Sequence, residues 1–335
     1  MTIVTTVGSF DWQPGWGDLP SEVAGCDVPA VAVGPDDRVF VLSRSPLPVV
    51  VLDPTGAFVT GWGAGDFARP HGVHVAPDGS LWCADDEGQR LLHYSATGKL
   101  LRVIQGEDNT AQTGYVPGYP RSVLRSAGPF CYPTGIATGD AEDLWVTDGY
   151  GNARVHHFDR DGELLGSFGN PGGGPVEFVI PHGLLHLPTG HLLVSDRENE
   201  RVQEIDPSGV MVASWEKVYF PNNIATVDHS VYYVAELGNV IQGPPTGTKV
   251  VADAPHARVT ARDKTGTLLA EILPLPGKAP DIFFAPHGIA IGSHGDLYVG
   301  QVRAAYSRGM DRTGGPCLGK LVRVPDSGTS AASSS

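Results

Sequence analysis

Three short stretches of this sequence place a histidine in the same setting: Pro70-His71-Gly72, Pro181-His182-Gly183 and Pro286-His287-Gly288. Three related stretches keep the proline but lack the histidine: Pro29-Ala30, Pro133-Thr134 and Pro221-Asn222. In chain order, histidine occupies the second, fourth and sixth copies. Three imidazoles that converge on one point form the ligand set of a catalytic zinc ion, with a fourth position open to water or substrate. The alternation therefore predicts one zinc ion per chain.

The structural alternative is that each histidine packs at the start of a strand and binds a neighbouring carbonyl group. That alternative explains a single histidine well. It does not explain three histidines at equivalent positions in strict alternation, so we favour His71, His182 and His287 as metal ligands.

Further candidates follow the second predicted strand of several repeats. Tyr150 stands in one such loop, and a positive ion nearby favours the phenolate form of a tyrosine, which can then act as a base. Arg44, Arg197 and Arg303 stand in related loops, and the forked guanidinium group suits a carboxylate. We therefore expect Tyr150, Arg44 and Arg197 to be catalytic, and all three arginines to bind substrate.

These loop residues also have structural alternatives. Arg197 is flanked by Asp196 and Glu198, and a salt bridge with either would explain it without a substrate. For Arg44 and Tyr150 the alternative is packing at the rim of the fold.

The elements that position these residues repeat with a period of about 40 residues. Residues 179–215 show one unit: four short apolar strands separated by turns such as Pro188-Thr189-Gly190 and Pro207-Ser208-Gly209. Four strands per repeat, with no segment of helical periodicity, are typical of a propeller blade. Six units predict an all-β, six-bladed β-propeller, in which alternate blades lie about 120° apart around the axis.

The last unit has only three strands before the chain reaches Val324. The stretch from Thr6 to Phe10 reads like the fourth strand of the other units, so we expect the N-terminal strand to complete the last blade and remove two exposed sheet edges. Residues 1–325 are then one propeller, and residues 326–335 are predicted to be a disordered tail.

Strand direction places the Pro-His stretches and the loops after the second strands on one face, which we call the top face. The long insertions at 106–130, 241–257 and 304–318 fall on the same face. Extra loop length on one face of a rigid scaffold usually marks the functional surface.

Composition excludes several classes of function. The net charge of −14, with 23 Lys and Arg in no basic run, argues against nucleic acid as a partner. No apolar stretch is long enough to span a membrane, and the N-terminus lacks the features of a signal peptide. The four cysteines lack metal-site spacing and are expected to be free thiols. These features predict a cytoplasmic protein.

The motifs Val146-Thr147-Asp148-Gly149-Tyr150 and Ser195-Asp196-Arg197-Glu198-Asn199, together with the Pro-His stretches, resemble those of the peptidyl-α-hydroxyglycine α-amidating lyases. Those enzymes are six-bladed propellers of NHL-type repeats. The resemblance implies zinc held by His71, His182 and His287, a catalytic Tyr150, and substrate binding by Arg44 and Arg197. It implies cleavage of an α-hydroxyglycine carbinolamine into an amide and glyoxylate.

The chain departs from the family at three positions. Gly151 replaces a cysteine, so the family disulfide that would use Cys131 is absent. Gly288 replaces an aspartate that helps to hold a structural calcium ion, which leaves calcium without that ligand. Ala285 replaces a methionine near the third histidine, so we expect a different substrate pocket.

We therefore predict a zinc-dependent lyase for a small-molecule or peptide-like substrate with a carboxylate. One alternative is a non-catalytic NHL propeller that binds a protein or ligand on its top face. A second is a metal-dependent hydrolase of the lactonase kind, which would recruit Asn222, Glu236 and Asp148 as ligands.

Overall fold

The structure is a computed structural model that describes residues 2–107, 109–238, 255–272, 283–307 and 315–325. In these residues the chain forms six antiparallel sheets arranged as a six-bladed β-propeller, as the repeats predict. The described helices are short, and none is long and apolar enough to cross a membrane. The predicted tail at 326–335 lies outside the described residues, so its disorder remains a prediction.

Each blade is a meander whose first strand lies innermost. Blade 1 comprises Ala30–Val33, Val39–Leu42, Val49–Leu52 and Phe58–Trp62. Blade 2 comprises Pro70–Val75, Leu81–Asp85, Arg90–Tyr94 and Leu100–Gln105. Blade 3 comprises Pro133–Thr138, Leu144–Asp148, Arg154–Phe158 and Leu164–Phe168.

The second half of the ring repeats this arrangement. Blade 4 comprises Pro181–His186, Leu192–Asp196, Arg201–Ile205 and Met211–Glu216. Blade 5 comprises Pro221–Ala225, Tyr232–Glu236, Arg258–Arg262 and Leu268–Ile272. Blade 6 begins with Pro286–Ile291, Leu297–Gln301 and Leu318–Val324.

The N-terminal strand completes blade 6, as expected, but its bounds differ from the predicted Thr6 to Phe10. The fourth strand is Gly8–Pro14, which pairs with Leu318–Val324, and Thr2–Thr5 adds a fifth strand outside it. The boundary shifts because residues 6 and 7 form the turn of a hairpin, in which the Thr5 hydroxyl donates to the Gly8 carbonyl. Phe10 is fully buried by this closure and packs against Tyr233 of blade 5.

The core lies between neighbouring blades rather than at one centre. The second strands are buried along their whole length in blades 2 to 6, because each sheet is packed on both faces. Between blades 5 and 6, for example, Val259 and Val299 belong to one buried cluster. Similar apolar clusters join the other neighbouring blades. A rigid ring of this kind holds loops at fixed positions on its faces.

The insertion before blade 3 folds over the top face. It contains a helix at Thr110–Thr113 and a 3-10 helix at Pro120–Ser122. Arg121 donates to the main-chain oxygen of Glu198 in blade 4, at 2.7 Å. Most of the predicted insertion at 241–257, and the middle of the one at 304–318, lie outside the described residues. The described residues also include a short helix at Arg303–Ser307 and a 3-10 helix at Arg197–Asn199.

Candidate metal centre

His71, His182 and His287 meet on the propeller axis. Their ring centroids lie 4.8 Å apart for His71 and His182, 5.0 Å for His71 and His287, and 4.6 Å for His182 and His287. One nitrogen from each ring falls within 4.8 Å of the other two, and all three side chains are buried. The alternate blades therefore bring the three predicted ligands together.

The blades without histidine explain the alternation. Nδ1 of His71 lies 3.0 Å from the carbonyl oxygen of Thr134, and Nδ1 of His182 lies 2.9 Å from that of Asn222. Nδ1 of His287 lies 2.7 Å from the carbonyl oxygen of Pro29. Each ring thus donates its Nδ1 proton to the first strand of the next blade. The Nε2 lone pairs are left to point at the axis, which is the tautomer that a metal-binding histidine uses.

The glycine after each histidine lets the next blade approach. A Cβ atom on Gly183 would lie 2.4 Å from the carbonyl oxygen of Asn222, and one on Gly288 would lie 2.6 Å from Cα of Ala30. No side chain fits at Gly288 without a shift of the neighbouring strand. An aspartate for calcium is therefore excluded there by the packing as well as by the sequence.

The environment keeps the imidazoles neutral. Burial lowers the pKa of His71 and of His182 well below the usual value, and the charge of His287 lowers both further. Burial also lowers the pKa of His287, to about 3, and the charge of Arg44 acts in the same direction. A neutral imidazole is the form that ligates a metal, so the three residues fit a zinc ion in tautomer, charge and arrangement.

Tyr150 reaches the centre from blade 3. Its hydroxyl oxygen lies 3.0 Å from Nε2 of His71 and 3.3 Å from Nε2 of His182. The loop that carries it is fixed by Asp148, whose carboxylate accepts the main-chain N–H of Cys131 at 2.8 Å and the side-chain N–H of Asn152 at 2.9 Å. Tyr150 is therefore held where it can exchange a proton with a group bound at the axis.

Arg197 and Arg44 flank the same centre. Nη1 of Arg197 donates to the Tyr150 hydroxyl at 3.4 Å, while its Nε and Nη2 contact Oε1 of Glu198 at 3.3 and 3.2 Å. The expected salt bridge thus exists, but it leaves Arg197 facing Tyr150. Nη1 of Arg44 lies 3.6 Å from the Asp27 carboxylate, and its charge acts on His71.

Arg303 is placed differently from the other two arginines. Its guanidinium carbon lies 5.3 Å from the ring centroid of Phe284. Substrate binding by Arg303 remains a prediction. Arg69 was not among the site residues predicted from the sequence, although its charge acts on His71 and His287. Its position directly before the Pro70-His71 stretch was the available signal.

The ligands of a lactonase-like site do not gather at the axis. Glu236 is bound by Arg258 at 2.9 Å and Arg262 at 3.2 Å, and Asp148 anchors the blade 3 loop. Asn222 donates from its side chain to the carbonyl oxygen of Pro286. In the described parts of the chain, the three histidines form the cluster of ligand side chains that suits a metal.

Comparison with known proteins relates this chain to NHL-repeat proteins and to amidating lyases. The NHL repeat family matches residues 130–158, which carry Tyr150. Peptidyl-alpha-hydroxyglycine alpha-amidating lyase 1 of Drosophila melanogaster is 33% identical over 168 residues, covering 46% of this chain and 28% of that protein. The chain carries an NHL repeat and is similar to the amidating lyases. The resemblance inferred from the sequence is confirmed.

Two further similarities extend over more of the chain. NHL repeat-containing protein 3 of Homo sapiens is 26% identical over 256 residues, which is 70% of each protein. A solved streptogramin B lyase superposes over 94% of this chain and 98% of its own with a TM-score of 0.59, at 14% identity, and supports the propeller fold alone. The chain spans between 26% and 38% of the length of the amidating relatives with the strongest matches.

The structure shows the surroundings of the positions at which this chain departs from the amidating lyases. Cys131 is buried and forms no disulfide bond in the described structure. A Cβ atom on Gly151 would lie 2.3 Å from its sulfur, so Gly151 stands where a partner cysteine would. Ala285 is fully buried beside Phe284 and Val302.

Proposed function

We propose that this NHL-repeat propeller is a zinc-dependent lyase that cleaves the C–N bond of an α-hydroxyglycine-type carbinolamine, or a closely related α-hydroxy adduct. The observation that carries the proposal is the approach of the Tyr150 hydroxyl to Nε2 of both His71 and His182. Three neutral imidazoles with one tyrosine at their centre combine a metal site with a proton-transfer group.

The Nε2 atoms of His71, His182 and His287 would hold the zinc ion, because their Nδ1 protons are already bound to carbonyl oxygens. Zinc at this place would act as a Lewis acid that lowers the pKa of the substrate hydroxyl. The remaining steps are assigned to the side chains around it.

Tyr150 is assigned the proton transfer. In the reaction the O–H bond breaks and its electrons form the C=O bond of glyoxylate, while the C–N bond breaks and its electrons remain on the amide nitrogen. The proton that leaves the hydroxyl oxygen ends on that nitrogen, so the reaction needs no further reagent. A positioned acid–base group typically contributes a factor of about 10²–10⁴ to such a step.

We assign binding of the substrate carboxylate to Arg197 and Arg44. Arg197 is buried and already contacts Tyr150, and Arg44 acts on the same histidines from blade 1. Guanidinium groups bind carboxylates through paired N–H donors. They also offset the repulsion that a chain with a net charge of −14 exerts on an anion.

The expected partner is thus a small-molecule or peptide-like substrate with a carboxylate, with neither nucleic acid nor a membrane involved. A reducing compartment such as the cytoplasm suits the four cysteines, none of which forms a disulfide bond in the described structure.

A second candidate is a non-catalytic propeller that binds a ligand or protein on its top face. The similarity to NHL repeat-containing protein 3, whose name gives no enzymatic activity, favours it. The two candidates are separated by an assay for glyoxylate released from an α-hydroxyglycine compound. A lyase releases it with zinc bound, whereas a binding protein does not.

A further inference from the structure

On the top face, one position of the repeat carries a different kind of residue in the blades beside Tyr150. The residue before the repeat proline occupies one equivalent position in every blade. In four blades it is apolar and buried: Val28, Ile180, Phe220 and Ala285. In blades 2 and 3 it is Arg69 and Tyr132, which are larger, polar and partly exposed. At this position, buried apolar side chains are therefore replaced by accessible ones only in blades 2 and 3, and blade 3 carries Tyr150.

The loop of blade 2 fixes the side chain of Arg69 and the main chain of Tyr132. Arg69 donates from Nε and Nη2 to the Asp86 carboxylate at 2.7 and 2.6 Å, and its Nη1 lies 3.2 Å from Glu87. Gln89 accepts the main-chain N–H of Tyr132 at 2.7 Å. These contacts use three of the five N–H groups of Arg69 while its side chain stays 34% exposed. The guanidinium is held in place and can still donate to a substrate.

Tyr132 and Tyr115 together form an aromatic surface. Their ring centroids lie 5.5 Å apart in an edge-to-face arrangement, and Tyr115 comes from the insertion that folds over the top face. Arg69 lies 5.9 Å from the centroid of the Tyr150 ring and so joins this surface to the reaction centre. A guanidinium beside two aromatic rings suits a group that is flat and carries a hydrogen-bond acceptor.

The chemistry of the reaction brings the acyl half of the substrate to this part of the top face. The proton that Tyr150 moves ends on the amide nitrogen, so that nitrogen must lie on the Tyr150 side of the reacting carbon. The acyl group is attached to the same nitrogen and extends over the neighbouring rim, where Arg69 and Tyr132 stand.

We propose that Arg69, Tyr132 and Tyr115 form the subsite for the acyl half of the substrate, and that the subsite favours aromatic acyl groups; this rests on the lyase function proposed above. Arg69 donates to the acyl oxygen, which every N-acyl substrate has. Tyr132 and Tyr115 contact the group beyond it and set the preference among substrates.

The test compares kcat/KM for glyoxylate release from N-benzoyl-α-hydroxyglycine and N-acetyl-α-hydroxyglycine. The wild-type protein is expected to prefer the benzoyl compound about tenfold or more, the order of effect that aromatic contacts give. Tyr132→Leu and Tyr115→Leu should each reduce this preference, mainly by raising KM for the benzoyl compound. Arg69→Lys, which keeps the charge but loses the fork, should lower kcat/KM for both compounds about equally.

The matched control is Tyr119→Leu, a 51% exposed tyrosine of the same insertion, which should leave the preference unchanged. Zinc content and thermal unfolding of each variant are measured to show that it is folded. Two results would overturn the subsite without affecting the proposed lyase function. One is an equal kcat/KM of the wild type for both compounds, and the other is an equal fall in kcat/KM for both compounds in Tyr132→Leu. Failure of the wild type to release glyoxylate from either compound would overturn the lyase function and the subsite with it.

Discussion

The hydroxyl oxygen of Tyr150 lies 3.0 Å from Nε2 of His71, although 79 positions of the chain separate the two residues. The contact joins the loop of blade 3 to the first strand of blade 2. It places a proton-carrying group at the point where the three histidines converge, which is the arrangement that the proposed lyase chemistry needs.

Removal of the Tyr150 hydroxyl should therefore lower the rate of the reaction without loss of the metal. Tyr150→Phe is expected to keep the fold and the zinc while losing about 10²–10⁴ in kcat, the range typical of a general acid or base. The measurement is steady-state glyoxylate release, with zinc content determined on the same sample. Tyr232→Phe is the control, since Tyr232 contacts Trp215 between blades 4 and 5. Full turnover by Tyr150→Phe would show that the tyrosine has no catalytic role.

Removing one histidine should remove the metal. His182→Ala leaves two imidazoles, which make a poor site, so zinc content and activity are both expected to fall sharply. His186→Ala, on the same strand, is the control and should retain the metal. The measurement is metal analysis of protein purified without added metal. Stoichiometric zinc in His182→Ala would contradict the assignment of the ligands.

Arg197 should affect binding of the substrate carboxylate more than turnover. Arg197→Ala is expected to raise KM for carboxylate substrates and to matter less for their esters, because an ester lacks the charge that the guanidinium binds. Arg197→Lys keeps a positive charge beside Glu198 and should give a smaller increase. If Arg197→Ala raises KM equally for carboxylate substrates and for their esters, Arg197 does not bind the carboxylate.

Closure of the ring by the N-terminal strand should contribute strongly to stability. Deleting residues 1–14 removes the pairing with Leu318–Val324 and the buried Phe10. Loss of a buried phenylalanine alone typically costs about 3–5 kcal/mol. Urea unfolding should show a large drop in the free energy of unfolding. Deletion of residues 1–5, which removes the outer strand Thr2–Thr5, should lower it less. A truncation at residue 14 that unfolds at the wild-type urea concentration would rule this closure out.

The sequence predicted the parts of the molecule that repeat. Six copies of one strand pattern fix the number of blades, and the alternate histidines follow from the ring, because equivalent positions in a closed ring face one axis. From the sequence, Asp148 was a possible ligand of a lactonase-like site and Asp196 a possible salt-bridge partner of Arg197. Their role as acceptors for main-chain N–H groups became visible in the structure.

The sequence could not predict features that depend on contacts between blades. The Nδ1 acceptors are main-chain carbonyls, which carry no residue signature. The position of Arg69 directly before Pro70 was a signal in the sequence, but its distance of 5.9 Å from the centroid of the Tyr150 ring became visible only in the structure. Arg303 was grouped with Arg44 and Arg197 by loop position, and its contact with Phe284 became visible only in the structure.

The central claim is that this zinc-binding propeller releases glyoxylate from an α-hydroxyglycine compound. The direct measurement is the rate of glyoxylate release by wild-type protein as purified, after removal of zinc by a chelator, and after zinc is restored. The account predicts release, loss of release and recovery in that order. Protein that holds stoichiometric zinc yet releases no glyoxylate, or that releases it at full rate without metal, would contradict the account.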